Sequence, residues 1–516
     1  VLIIFSFQIL IDNQLIASSN KEGNSYPTST DEFIKKDLEE LIKKANEAEK
    51  NGLMRKSLEL NKEILASEKE IYGQNHRNVA TTLFNIGKLY FDLYEFKKSK
   101  SFFYNALEIY KLDEKNEHDG IIDTLNEISK NYQIEGDFKK SITYKNKALD
   151  LAKSYYDQNH EYIGLFFNDL GLLYAEIGEY DKAKRMLFKS LEIAINNDGQ
   201  ESENVSRTLG NLGWVFSLIG KFSESEMYYL DSIEIDKKNF EENKAAIGLT
   251  KNNLGHLYKS QGLYEKAEKY YKESLEIAIE NNGIDHPSVA LTKNNLGELY
   301  SDLERYKEAE SLYLEAIKIY SAKHGNNHPT VGVFKNNLAV NFVDQGLFDE
   351  ALTTYEDSLK SMEEFFGPDH PQTSIVLNNL GLFYSEQGLF NKAEEYYIRS
   401  LNINKNNFGE NHPNVFINQF NLIQNYVDSG KSYKAIQLAK KYYRQKLIFI
   451  QKEAPFLSLV DRELFKTKYG ANNLPFSFVT SGDEIGTNLA LFYRLNNHGL
   501  LQEIEKRQTK IKNLNK

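Results

Sequence analysis

Residues 288–329 read SVALTKNNLGELYSDLERYKEAESLYLEAIKIYSAKHGNNHP. The stretch predicts two amphipathic helices, one from about Pro287 to Leu303 and one from about Tyr306 to Ala322. Pro287 opens the first at the position where a missing N–H costs nothing. Leu296, Gly297, Tyr300 and Leu303 share one face of that helix. Tyr306, Ala309, Tyr313, Ala316 and Ile317 share one face of the second. Gly and Ala at these positions let two backbones approach closely. One such hairpin cannot bury both apolar stripes alone, so it requires neighbours.

The chain supplies them at a constant offset of 42 residues. His286, His328, His370 and His412 are in register, and His76, His118 and His160 extend the series backwards, with Ser202 and Lys244 in the gaps. A small first-helix residue recurs at Gly87, Ser129, Gly171, Gly213, Gly255, Gly297, Ala339 and Gly381. Its aromatic partner recurs from Tyr90 through Tyr300 to Tyr426. The turn carries Gly in most units, with Tyr94 and Glu304 as exceptions. Ten helix pairs follow without an insertion. A fixed period of this kind marks a solenoid, in which each unit contacts only its neighbours.

Leu-Gly-x-x-Tyr followed by Gly-x-Tyr/Phe-x-x-Ala resembles the tetratricopeptide repeat. The 42-residue period and the (Asn/Asp)-His-Pro-x-Val opening are similar to the longer variety found in kinesin light chains and many bacterial proteins. The match covers about Asp31 to Ile450. It implies an all-α fold: a right-handed superhelical solenoid of about ten helix-turn-helix repeats with a helical C-terminal cap. HEAT and armadillo repeats share the period, but the Gly/Tyr/Ala columns fit the tetratricopeptide pattern at fixed offsets.

Composition narrows the function. Net charge is −11 with no long basic run, which argues against nucleic acid or an anionic membrane as main partner. The 33 Tyr and 31 Phe fall mostly in repeat columns, so they read as core. There are no cysteines, which excludes disulfides, thiolate metal sites and a cysteine nucleophile within these residues. The His column does not read as a metal site. Its members should lie roughly 8–10 Å apart, whereas shared ligation needs bonds near 2 Å. Helix capping is the expected role. No phosphate loop, HExxH or nucleophile elbow is present, so no cofactor and no catalytic residue is expected.

The ends differ from the repeats. VLIIFSFQILI at Val1–Ile11 is too short to span a bilayer, but suits the apolar part of a secretory signal or anchor occupying residues 1–19. The expected location is cytoplasmic, or exported if that segment is a signal. Residues 20–30 read as a flexible linker, with Ser29 and Glu32 forming a capping box for the first helix. In the last unit Tyr442 and Tyr443 replace small and aliphatic residues, so its second helix should pack differently. Residues 451–516 leave the repeat. FLSLVDRELF and ALFYRLNNHGLLQEIEKRQ resemble the segment that joins such repeats to a CHAT domain, a caspase-like peptidase module of bacterial proteins. No catalytic residue of that module is present to carry over.

The functional candidates lie in the first helices. Asn is a poor residue for a helix interior, because its side chain competes for backbone hydrogen bonds. Yet it recurs just before Leu-Gly or its equivalent at Asn211, Asn253, Asn295, Asn337, Asn379 and Asn421, and once more before that at Asn252, Asn294, Asn336 and Asn378. The resemblance to kinesin-light-chain-like repeats implies that the six line a concave groove and grip an extended peptide. The alternative is that the amides tie one repeat to the next through hydrogen bonds to neighbouring backbone. Asp302, Asp344, Glu386 and Asp428, with Glu298 nearby, form an acidic column on the same face that would favour basic segments; a merely solvated face is the bland alternative. Trp214 is either an inward-facing anchor or a packing residue. The expected function is non-catalytic recognition of a protein or peptide segment. Two alternatives remain: the recruiting arm of a CHAT-type peptidase, and a kinesin-light-chain-like cargo adaptor, for which no N-terminal heptad region is visible in these residues.

Overall fold

The computed structural model describes residues 29–453, with the exception of Asn239. Ten antiparallel helix pairs follow one another. They are α1 (Ser29–Lys50) with α2 (Met54–Tyr72), α3 (Arg77–Asp92) with α4 (Phe96–Tyr110), α5 (His118–Ile134) with α6 (Phe138–Tyr155), α7 (Glu161–Glu176) with α8 (Tyr180–Asp198), and α9 (Glu203–Leu218) with α10 (Phe222–Lys238). Then come α11 (Phe240–Ser260) with α12 (Tyr264–Asn282), α13 (Pro287–Asp302) with α14 (Tyr306–His324), α15 (Pro329–Asp344) with α16 (Phe348–Phe366), α17 (Pro371–Glu386) with α18 (Phe390–Phe408), and α19 (Pro413–Asp428) with α20 (Ser432–Glu453). No strand occurs among the described residues. The chain divides into two compact units, Val1–Asp169 and Leu170–Lys516, with the boundary inside α7.

The repeat columns explain the pairing. Successive residues of the two helices meet where the first has no side chain. A Cβ on Gly297 would stand 2.8 Å from Cε1 of Tyr313, and one on Gly255 would stand 2.6 Å from Cδ1 of Tyr271. The tyrosine ring therefore lies flat against the backbone of the preceding helix. Tyr229, Tyr271, Tyr313 and Tyr397 are all fully enclosed, and each such ring contributes on the order of 2 kcal/mol through burial.

Ends of helices follow equally simple rules. Nδ1 of His286 accepts from the Ser288 N–H at 3.3 Å, and His328, His370 and His412 cap α15, α17 and α19 in the same way. Two of these rings stack on an aromatic four residues earlier, His370 on Phe366 with centroids 4.0 Å apart and His412 on Phe408 at 4.3 Å. His118 departs from the column: it lies inside α5, and its Nδ1 faces the Lys115 carbonyl. The second helices α2, α8, α12, α14, α16 and α18 run to a positive-φ Gly; α14 extends to His324 because Gly325 (φ +89°) is the first residue to break it. The hairpin turns are left-handed as well. Tyr94 (φ 62°) and Glu304 (φ 59°) adopt the same conformation as the glycines they replace.

First helices of successive pairs approach one another more closely than second helices do. Within unit 2, a stack built this way curves with its first helices on the inside. The ends need brief comment. α1 starts at Ser29, inside the stretch read as a linker. The expected signal or anchor at residues 1–19, the rest of that linker, and the CHAT-like segment after Glu453 lie outside the described residues. No described helix is long and apolar enough to cross a membrane. In α20, Tyr442 and Tyr443 are buried, with Tyr442 packed edge-on to Phe416.

Candidate functional site on the inner face of unit 2

The asparagine columns sit where the first helices meet. Nδ2 of Asn295 donates to Oδ1 of Asn252 at 2.9 Å. Asn337 does the same to Asn294 at 3.1 Å, Asn379 to Asn336 at 3.0 Å, and Asn421 to Asn378 at 3.0 Å. Each rung joins α11 to α13, α13 to α15, α15 to α17 or α17 to α19. The residue 43 positions before Asn253 is Gly210, which has no side chain to accept a rung. Asn211 and Asn337 are buried, whereas Asn253, Asn295, Asn379 and Asn421 are half-buried. The amides thus do tie repeat to repeat, but through side chains rather than backbone. A primary amide has two N–H donors and two acceptor lone pairs. One donor is spent on each rung, which fixes the amide plane and leaves the half-buried members with capacity toward the groove.

Two helical turns further along lie the carboxylates. Asp302, Asp344, Glu386 and Asp428 are exposed. The Asp344 carboxyl is raised above the ordinary range, first by partial desolvation and then by Asp302; Glu386 is raised by desolvation and then by Asp344. Asp344 and Glu386 are thus exposed yet partly desolvated, and each feels the carboxylate of the preceding repeat. Asp428 accepts from Nε2 of Gln424 at 2.8 Å.

Glu298 does not join that exposed row. It is 9 % exposed and binds the Lys259 ammonium at 3.0 Å, while accepting from Asn337 Nδ2 at 2.8 Å and Asn294 Nδ2 at 3.3 Å. Burial alone would raise its carboxyl, but Lys259 outweighs burial and holds it below the usual range. Lys259 also reaches Asp302 at 3.4 Å. Glu298 is therefore a buried joint between α11, α13 and α15. Trp214 is only 8 % exposed, which matches the packing alternative.

Several polar residues escaped the sequence reading. Lys259 is one; it stands where neighbouring units carry Ser217 and Ser301. Asn341 and Asn425 are two more. Their Nδ2 groups donate to the Tyr306 and Phe390 carbonyls, tying a first helix to the second helix of the preceding pair. Their signal is an amide in a column that holds Leu257 and Leu299 elsewhere. In unit 1 the same kind of exception is Lys145, which replaces the tyrosine of the packing column. It is 2 % exposed, its ammonium is held by Asn126 and by Asp169 at 2.6 Å, and burial lowers its pKa.

A family model described as tetratricopeptide repeat matches residues 120–196, 162–238, 247–322, 331–405 and 375–446. None of the curated proteins matches the sequence. Among solved structures, BtubC (BKLC) from P. vanneervenii is 23 % identical, covering 44 % of this chain and 89 % of that one, with a TM-score of 0.37. A putative kinesin light chain with nearly identical repeats, from Podosopora anserina, is 19 % identical over 39 % of this chain and 96 % of that one, with a TM-score of 0.33. A Rap protein complexed with Competence and Sporulation Factor is 16 % identical over 73 % of this chain and 99 % of that one, with a TM-score of 0.49.

Proposed function

Because the chain belongs to the tetratricopeptide repeat family and is a protein-interaction scaffold, we propose that the inner face of unit 2 binds an extended, basic peptide segment. The observation that carries this reading is the pairing of two parallel rows. Half-buried amides, oriented by their own inter-repeat hydrogen bonds, run beside carboxylates that remain exposed. Amides offer the donor and acceptor that a peptide unit needs whatever its side chain. The carboxylates add a preference for Lys or Arg. Groups already fixed in place lose little freedom on binding, so each modest contact is retained.

Asp344→Asn with Glu386→Gln tests this most cleanly, because neither carboxylate takes part in a rung. A lysine-rich peptide should bind the full chain, and the double variant should weaken it about tenfold or more, with a shallower salt dependence. Melting should hold steady or rise slightly. Unchanged affinity would rule out the acidic row as a contact. Asn295→Ala with Asn379→Ala should weaken the same peptide by about 0.5–1.5 kcal/mol per amide, measured well below the melting transition. A loss of stability with no loss of affinity would assign those amides to repeat packing alone.

A further inference from the structure

The two ends of the described part of unit 2 touch. At the left-handed glycines of other hairpin turns, Gly262, Gly346, Gly388 and Gly430, an added Cβ would meet nothing within 4 Å. At Gly178 it would stand 3.1 Å from Cδ2 of His412 and 3.9 Å from Cδ of Pro413. Nε2 of His412 donates to the Glu176 carbonyl at 3.0 Å, while its Nδ1 accepts from the Asn414 N–H at 3.2 Å. Both ring nitrogens are used, so the tautomer is fixed. Tyr180 and Ile219 are 3 % and 2 % exposed and belong to the same apolar cluster as Val415, Phe416 and Leu422.

The turn at Gly178 lies on the edge of the stack where a first helix passes into its second. The start of α19 lies on the opposite edge, where one pair passes into the next. Their contact seats one coil of the stack on the following coil. About five and a half repeat lengths separate Gly178 from His412. With first helices roughly 10 Å apart, that turn is about 55 Å around and about 18 Å across between helix axes. Subtracting one helix diameter of about 10 Å leaves a bore of about 8 Å. Neighbouring strands lie about 4.8 Å apart, so the bore admits the backbone of one extended chain. A helix of about 10–12 Å with side chains would not pass freely.

We propose that the seat of the 176–180 turn on His412 and Pro413 closes unit 2 into a collar, which admits an extended segment end-on and excludes a folded partner until the seat opens. What the bore binds rests on the inner-face reading above; the closure itself does not.

Gly178→Asn tests it, because Asn tolerates the left-handed turn while its side chain wedges against His412. Gly262→Asn is the control, with the same turn and open space. Small-angle scattering of the full chain should show expansion for Gly178→Asn and none for Gly262→Asn. His412→Ser, which keeps a cap of the kind Ser202 gives α9 but loses the reach to Glu176, should expand the chain in the same direction. A lysine-rich peptide with free ends should bind the native chain about tenfold or more tightly than the same peptide fused at both ends to folded domains. Gly178→Asn should erase that difference. Equal binding of the two peptides by the native chain, or equal scattering of the Gly178 and Gly262 variants, overturns the collar. Expansion of Gly178→Asn with neither peptide bound upholds the closure and overturns the peptide reading.

Discussion

A buried charge is stable only while its partner is present, and Glu298 shows how unit 2 manages one. Its carboxylate has the Lys259 ammonium from α11 and two amide donors around it, Asn337 from α15 and Asn294 from its own helix one turn earlier. Lys259→Met should leave that carboxylate uncompensated and cost about 3–5 kcal/mol. The two remaining amides place the loss toward the lower end. Lys259→Met with Glu298→Leu should recover most of it, since an apolar pair of similar volume avoids both desolvation terms. Denaturant unfolding of the single and double variants checks this; a double variant as unstable as the single would show that Glu298 matters for shape and not for charge pairing. Lys145 follows the same logic in unit 1. It stands in a column that carries Phe103, Leu187, Tyr229, Tyr271 and Tyr313 in other units, and hydrogen bonds to Asn126 and Asp169 help make its burial tolerable.

At the scale of the hairpin, the turn is the weakest point of the repeat's local chemistry. Glu304 sits at φ 59°, held by the Arg305 N–H donating to the Tyr300 carbonyl at 2.8 Å and its own N–H donating to Ser301 at 2.9 Å. A side chain in that region costs about 1–2 kcal/mol, and Gly returns roughly 0.5–1 kcal/mol of that through its freer unfolded chain. Glu304→Gly should therefore raise stability by about 0.5–1 kcal/mol, seen as a higher denaturant midpoint at unchanged slope. No gain would mean that the turn is strained for another reason. The glycine column made these turns readable from sequence, including the two exceptions, because conformation at one residue decides the turn. The histidine caps were readable for the same reason. The rungs between Asn295 and Asn252 were not. A column shows that an amide recurs, but its partner lies 43 residues away in the next unit, and only the curvature of the stack decides which amides meet. Lys259 and Glu298, 39 residues apart, escaped for that reason too.

Across the molecule, burial gives the two units opposite responses to acid. In unit 2 burial pushes His412 down to about 4, and burial with nearby His324 does the same to His328. In the unfolded chain both rings titrate near 6.5. Between those values only the unfolded state takes up the protons, so stability is complete above pH 6.5 and falls as the pH drops toward 4, by roughly 3 kcal/mol per ring at most. In unit 1 burial raises Asp92 and Asp123 to about 6. There the folded state binds protons first, so the cost of burying those carboxylates eases as the pH falls through 6 toward the usual aspartate value. Asp344 and Glu386 act in that second sense within unit 2, and being exposed they offset less of the histidine loss. Hydrogen exchange from pH 7 to 5, corrected for intrinsic rates, should show α19 and α15 losing protection relative to α3 and α5. His412→Ser should flatten the pH slope at α19 and leave that of α15 in place, since His328 is untouched. If α19 keeps its full slope without the imidazole, the acid sensitivity of that end of unit 2 comes from some other group, and His412 serves there only as cap and seat.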